Sequence, residues 1–164
     1  YKLKYMKGGL CMPKMSNIEI LQRRDQPTLV IRKTVKVDDL PGVIGYCYEE
    51  IEKYLKDIEV YVEDVPFVAY HNMDMQHLDV EIGFPVSQKI PEKGEIKPGV
   101  IKAGKVIFCM YRGPYSEMTG TYNEMAEWLE NSGLKSEGTV YEYYYNGPGF
   151  PENEFLTKIV MPLA

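Results

Sequence analysis

The segment TVYEYYYN, residues 139 to 146, sets one carboxylate, Glu142, among Tyr141, Tyr143, Tyr144 and Tyr145. Aromatic and β-branched residues favour extended backbone, and side chains on a strand alternate faces, so Glu142 shares a face with Val140 and Tyr144. A carboxylate left ionised and unpaired on such a wall costs several kcal/mol, on the ~2–7 kcal/mol scale of unsatisfied buried polar groups or above it. Either water reaches it, or something cationic does. The second case describes a receptor for cationic aromatic molecules, because ring faces attract cations and a buried carboxylate neutralises them.

Other residues share this chemistry. Tyr144 and Tyr70 are candidate ring contacts, and Tyr111 and Tyr115 flank the turn Arg112-Gly113-Pro114 ahead of a helix, from which either side chain could reach a pocket. Glu81 alternates with Val80 and Ile82 and so faces away from that apolar side, towards a cleft or towards solvent. Trp128 is read as helix-to-sheet packing, and His71 and His77, around the turn NMDMQ, as surface residues without an acid or nucleophile at catalytic spacing. No nucleophile-base pair accompanies Glu142, which leaves it a binding group or, in a hydrolase, a general acid or base.

The elements that must hold these residues are legible from periodicity. Residues 17–24, 28–37, 65–72, 78–86, 100–112, 139–146 and 154–163 read as extended. Ile44, Cys47, Tyr48, Ile51, Tyr54, Leu55 and Ile58 recur at three- and four-residue steps and predict an amphipathic helix over 43–58. A second helix is expected over 116–131, with Met118, Tyr122, Met125 and Leu129 on its apolar face and Gly133 just past its end. The Lys-, Pro- and Gly-rich segment 87–99 reads as a connection.

The two halves match each other. A shift of 74 residues, the spacing of Tyr70 and Tyr144, also lays Tyr48 on Tyr122, Ile51 on Met125, Leu55 on Leu129, Phe67 on Tyr141 and Asn72 on Asn146. After a further three-residue slip, Ile82 falls on Ile159 and Pro85 on Pro162. The reading is a duplicated strand-helix-strand-strand unit, over about 17–86 and 96–164, in an α+β fold. Antiparallel sheets then form a central cleft with the two helices outside. In the same frame Glu142 falls on Val68, so the carboxylate marks where the copies differ in chemistry.

Composition narrows the partners. Fourteen Tyr against five Phe and one Trp is an excess suited to apolar walls with hydrogen-bonding tips. A net charge of −5 disfavours nucleic acid or anionic membrane as partners of this chain. Cys11, Cys47 and Cys109 are widely spaced without a histidine pair, which argues for reduced thiols, a cytoplasmic setting and no metal. No apolar run approaches the ~18–20 residues of a membrane span. Residues 1–16, with Lys2, Lys4 and Lys7 before Gly8-Gly9, are expected to be a tag, a linker or a disordered start, or else an extra edge segment. No cofactor is implied.

DVEIGFPV (79–86), YRGPYSEM (111–118), NEMAEWL (123–129), VYEYY (140–144) and LTKIVMPL (156–163), in that order and spacing, resemble the GyrI-like family, the effector-binding domain of AraC-type and MerR-type multidrug transcription regulators. The resemblance spans Ile18 to Leu163. It implies the duplicated fold, an aromatic cleft, and a buried glutamate that neutralises cationic lipophilic drugs, a place Glu142 occupies. The family also holds stand-alone toxin-sequestering proteins, a DNA gyrase inhibitor and hydrolases of cyclopropane-containing toxins. Effector or sequestering domain, hydrolase and protein-interaction module therefore stand as alternatives. No helix-turn-helix is legible, so any DNA-binding domain would lie upstream or on another chain.

Overall fold

The computed structural model describes residues 14–164. Nine strands, β1 (Lys14–Met15), β2 (Glu19–Arg23), β3 (Gln26–Val35), β4 (Phe67–Tyr70), β5 (Leu78–Pro85), β6 (Lys97–Ile101), β7 (Gly104–Arg112), β8 (Val140–Tyr144) and β9 (Leu156–Pro162), form one antiparallel sheet with two helices, α1 (Leu40–Asp57) and α2 (Thr119–Asn131). The order across it is β1-β7-β9-β8-β4-β5-β3-β6, and β2 also pairs with β7. Each expected unit is present as strand, helix and hairpin: β3-α1-β4-β5 and β7-α2-β8-β9.

The sheet curls because the units exchange edge strands. β2 runs into β3 but pairs with β7 of the second unit, and β6 runs into β7 but pairs with β3 of the first. Gln26 opposite Ile101 and Arg23 opposite Gly104 continue one register, so residues 19–30 and 97–108 make a single bent ribbon joining the halves. The stretch Lys97–Ile101, read in part as a connection, is thereby a strand of the first half. At Gly83 on β5 the curl presses β3 so close that a Cβ would lie 2.0 Å from the Leu29 carbonyl oxygen, an approach open to glycine alone. Lys14–Met15 take the edge-segment course, and Ser16 exchanges bonds with Met110. Residues 1–13 lie outside the described residues.

The helices sit on one face over two cores. α1 buries Cys47, Ile51 and Leu55 against Leu29, Ile31, Val80 and Ile82, while α2 buries Met125 and Leu129 against Ile107, Cys109, Ile159 and Met161, with Trp128 packed beside them. Leu to Ala truncations in such cores cost about 2–5 kcal/mol. Both helices end in the same six-residue cap. Val60 N–H donates to Leu55 O and Glu59 N–H to Lys56 O, and 74 residues on Leu134 N–H donates to Leu129 O and Gly133 N–H to Glu130 O. The left-handed residue is Gly133 (φ 66°) in the second copy and Glu59 (φ 54°) in the first, the glycine being the unstrained choice. Cys47 and Cys109 are free and buried.

The opposite, concave face buries Val30, Phe67, Ala69, Ile101, Val106, Tyr143 and Val160. Tyr141 and Tyr143 belong here, away from the helices. The Arg23 guanidinium lies 5.0 Å from the Tyr141 ring centre and the Lys158 ammonium 4.5 Å from that of Tyr143, cation-π contacts that cover the rings from solvent. Tyr145, just past the end of β8, is exposed.

Candidate functional site

The strand registers bring the site together at the junction of the copies. Ile31, Ile82, Val68, Glu142, Ile159 and Cys109 stand in one row across β3, β5, β4, β8, β9 and β7, on the helix-bearing face. Five are apolar and at most 2% exposed; the sixth is Glu142, at 9%. Phe67 opposes Tyr143 and Ala69 opposes Tyr141, so a shift of 74 maps the β4-β8 pairing onto itself with Val68 opposite Glu142 at its centre. The local two-fold axis of the repeat runs between these two side chains. A duplicated scaffold can therefore carry one charge at its centre when one copy keeps an aliphatic residue there.

Tyrosines surround this pair in two symmetry-related sets. Tyr70 and Tyr144 flank it from either side, and their hydroxyls meet 3.0 Å apart. Tyr144 donates to Glu142 Oε2 at 2.6 Å; its single proton thus committed, Tyr144 accepts from Tyr70. Tyr122, from α2, donates to Glu142 Oε1. Its counterpart Tyr48, from α1, packs against Phe84 with ring centres 5.3 Å apart, and its buried hydroxyl has no hydrogen-bond partner among the described residues. Tyr115 follows Pro114 in the turn before α2; its ring stacks on Phe155 at 5.0 Å and meets Tyr144 edge-on at 5.6 Å. At 45% exposure it forms the rim.

Electrostatics follow from burial. Desolvation raises the Glu142 pKa above its ordinary 4.5, and the bonds from Tyr122 and Tyr144 act against that rise. Desolvation also raises the hydroxyls of Tyr122 and Tyr144, and the Glu142 charge raises them further. They therefore stay protonated and able to donate. Among the described residues no Lys, Arg or His forms an ion pair with Glu142.

The sequence-derived candidates divide accordingly. Glu142, Tyr144, Tyr70 and Tyr115 come together. Tyr111 shares their face but is fully buried under the start of α2, with its hydroxyl on Pro114 O at 2.7 Å, where it holds the turn. Glu81 does not join them: it stands beside Ala69 on the concave face, within 3.6 Å of Arg32 and His71. His77 is exposed as expected, whereas the ring of His71 is largely buried and its Nδ1 meets Thr139 Oγ1 at 3.2 Å. Periodicity alone places Tyr122 and Tyr48 on helix stripes and gives them no part in the site. The signal that could have found them is the repeat itself, which matches both tyrosine pairs around the odd position.

Residues 16–164 match the GyrI-like small molecule binding domain. The chain belongs to this GyrI-like family. It is thus a small-molecule binding domain, and the duplicated α+β fold with its cleft is that of the family. Among solved structures, the GyrI-like chain is similar to the EcmrR C-terminal domain (20% identity, TM-score 0.75, 90% of this chain and 97% of that one). It also matches EcmrR in an EcmrR-DNA complex (19% identity, TM-score 0.77, 94% of this chain), where it spans 58% of the EcmrR chain. SAV2435 bound to tetraphenylphosphonium (12%, 0.64, 91% and 94%) and a hydrolase from Listeria innocua (14%, 0.65, 90% and 91%) share the fold. No curated protein matches. Among the described residues no helix is long and apolar enough to cross a membrane.

Proposed function

We propose that this GyrI-like domain binds amphipathic, cationic aromatic small molecules in the cleft over the β4-β8 junction, as the effector domain of a MerR- or AraC-type regulator or as a cytoplasmic sequestering protein. The observation that carries this reading is Glu142: a carboxylate 9% exposed, held by two tyrosine hydroxyls, with no ion-pair partner among the described residues. Such a group is expensive to ionise alone and inexpensive to ionise beside a cation, so charge recognition resides in the ligand's own charge. Tyr70, Tyr144 and Tyr122 supply ring faces and Tyr115 the rim; flat aromatic walls tolerate many ring shapes. The structure with tetraphenylphosphonium, a cation of this class, supports the reading on the same fold. With a net charge of −5, DNA contact in a regulator falls to another domain.

The same raised pKa favours one second reading, a hydrolase in which Glu142 acts as general acid or base. Titration with tetraphenylphosphonium or a rhodamine, followed by Tyr and Trp emission, tests binding. Incubation with a cyclopropane-containing alkylator, followed for ring-opened product, tests hydrolysis. Saturable binding lost in Glu142→Gln, without turnover, supports the binder; turnover lost in the same variant supports the hydrolase.

A further inference from the structure

Tyr48 and Tyr122 occupy equivalent places in the two copies, each on the helix face turned to the central pair. Tyr122 has Glu142 to donate to. Across the axis the equivalent residue is Val68, which accepts nothing, and the Tyr48 hydroxyl is left buried without a partner among the described residues. A polar group in that condition is a standing penalty unless something else pairs with it. Groups close enough to act on it come from three neighbouring elements and from its own helix: Tyr70 on β4, Tyr115 in the turn before α2, Glu142 on β8, and Cys47 beside it on α1. Glu142 is already served by Tyr122 and Tyr144, and Tyr70 by Tyr144. Burial keeps the Tyr48 proton in place, so the hydroxyl is available as a donor.

We propose that Tyr48 is a second polar anchor of the cleft, selecting cations whose aromatic part carries a hydrogen-bond acceptor, such as an ether, carbonyl or hydroxyl oxygen, away from the charge. This rests on the reading of Glu142 as the countercharge. The cleft is then polar at two points related by the repeat, charged at Glu142 and neutral at Tyr48. A ligand with one cationic end and one oxygen-bearing end fits both, while a purely hydrocarbon cation uses only the first.

A matched pair of probes separates the two anchors: (4-methoxybenzyl)triphenylphosphonium and (4-ethylbenzyl)triphenylphosphonium, which differ by an oxygen in place of a methylene. Wild type should prefer the methoxy compound by about fivefold to tenfold, the worth of one neutral hydrogen bond. Tyr48→Phe should erase that preference while leaving the ethyl compound within about twofold. Equal affinities in wild type, or a preference that survives in Tyr48→Phe, would overturn the anchor. Glu142→Gln should weaken both probes alike, and if it weakens neither, the countercharge reading fails separately. A ligand-free measurement stands beside these. If the hydroxyl is unpaired, Tyr48→Phe melts at or above the wild-type temperature; a marked fall would show that it has a partner within the protein and would also overturn the proposal.

Discussion

Replacing Glu142 by Gln keeps the shape of the site and removes only its charge. In the empty protein two tyrosine bonds oppose the desolvation of the carboxylate. Bonds to a charged group contribute about 1.5–3 kcal/mol each, against several kcal/mol for burying the ion. A permanent cation in the cleft shifts that balance, and the pair it forms is desolvated. Gln retains an acceptor oxygen for one of the two hydroxyls and offers an amide N–H to the oxygen of the other, so the charge pair is lost and both tyrosine bonds become neutral ones. The expected loss is about 2–5 kcal/mol, from about thirtyfold to several thousandfold in Kd. Calorimetric titration with tetraphenylphosphonium across pH gives the second readout. Below its raised pKa Glu142 is protonated in the empty cleft, and cation binding expels that proton, so wild-type affinity rises with pH and levels off above that pKa. Glu142→Gln should show no such slope. The stability of the empty protein runs the other way: a folded-state pKa above the unfolded value contributes stability that is present below the ordinary 4.5 and lost as pH rises through the folded pKa. Unchanged cation affinity in the variant, or wild-type affinity falling as pH rises, would refute the reasoning.

Tyr122→Phe and Tyr144→Phe each remove a donor to the carboxylate and should raise the Glu142 pKa further, moving the pH profile of cation binding to higher pH, with about 1.5–3 kcal/mol lost in affinity at neutral pH. Glu81→Gln, on the concave face, should leave cation affinity within about twofold, and a tenfold loss would place the site on the wrong side of the sheet. Glu59→Gly replaces a left-handed non-glycine residue in the α1 cap with the residue the second copy uses, and should stabilise the fold by up to about 1 kcal/mol in urea unfolding.

Much of the fold is written in local periods. The three- and four-residue spacing of Ile44, Cys47, Ile51 and Leu55, and of Met118, Met125 and Leu129, specifies both helices wherever they dock, because an apolar stripe needs only a surface to cover it. Alternation in Leu78, Val80, Ile82 and Phe84 likewise assigns a face. The exact 74-residue frame carried more than element order. It makes Val68 and Glu142 equivalent positions of the two copies; that they also stand opposite each other is set by the register of β4 and β8, since the same shift maps any antiparallel register of these strands onto itself.

The sequence by itself therefore determined both helices, most of the strands, the duplication and the substitution of Val68 by Glu142 between equivalent strand positions, since each depends on residue type and spacing alone. Tertiary structure decided which tyrosines share the site. Tyr122 and Tyr48 lie at the edges of helical stripes, and whether an edge residue packs into the core or turns to a cleft depends on where each helix crosses the sheet, which no local period records. Tyr111 was drawn under α2 by the turn it ties to Pro114, and Glu81 was placed on the concave face by the curl of a sheet whose closing ribbon joins residues 78 apart, such as Asp25 and Ala103. A strand assigns its residues to two sides, but only the whole sheet determines which side holds the cleft.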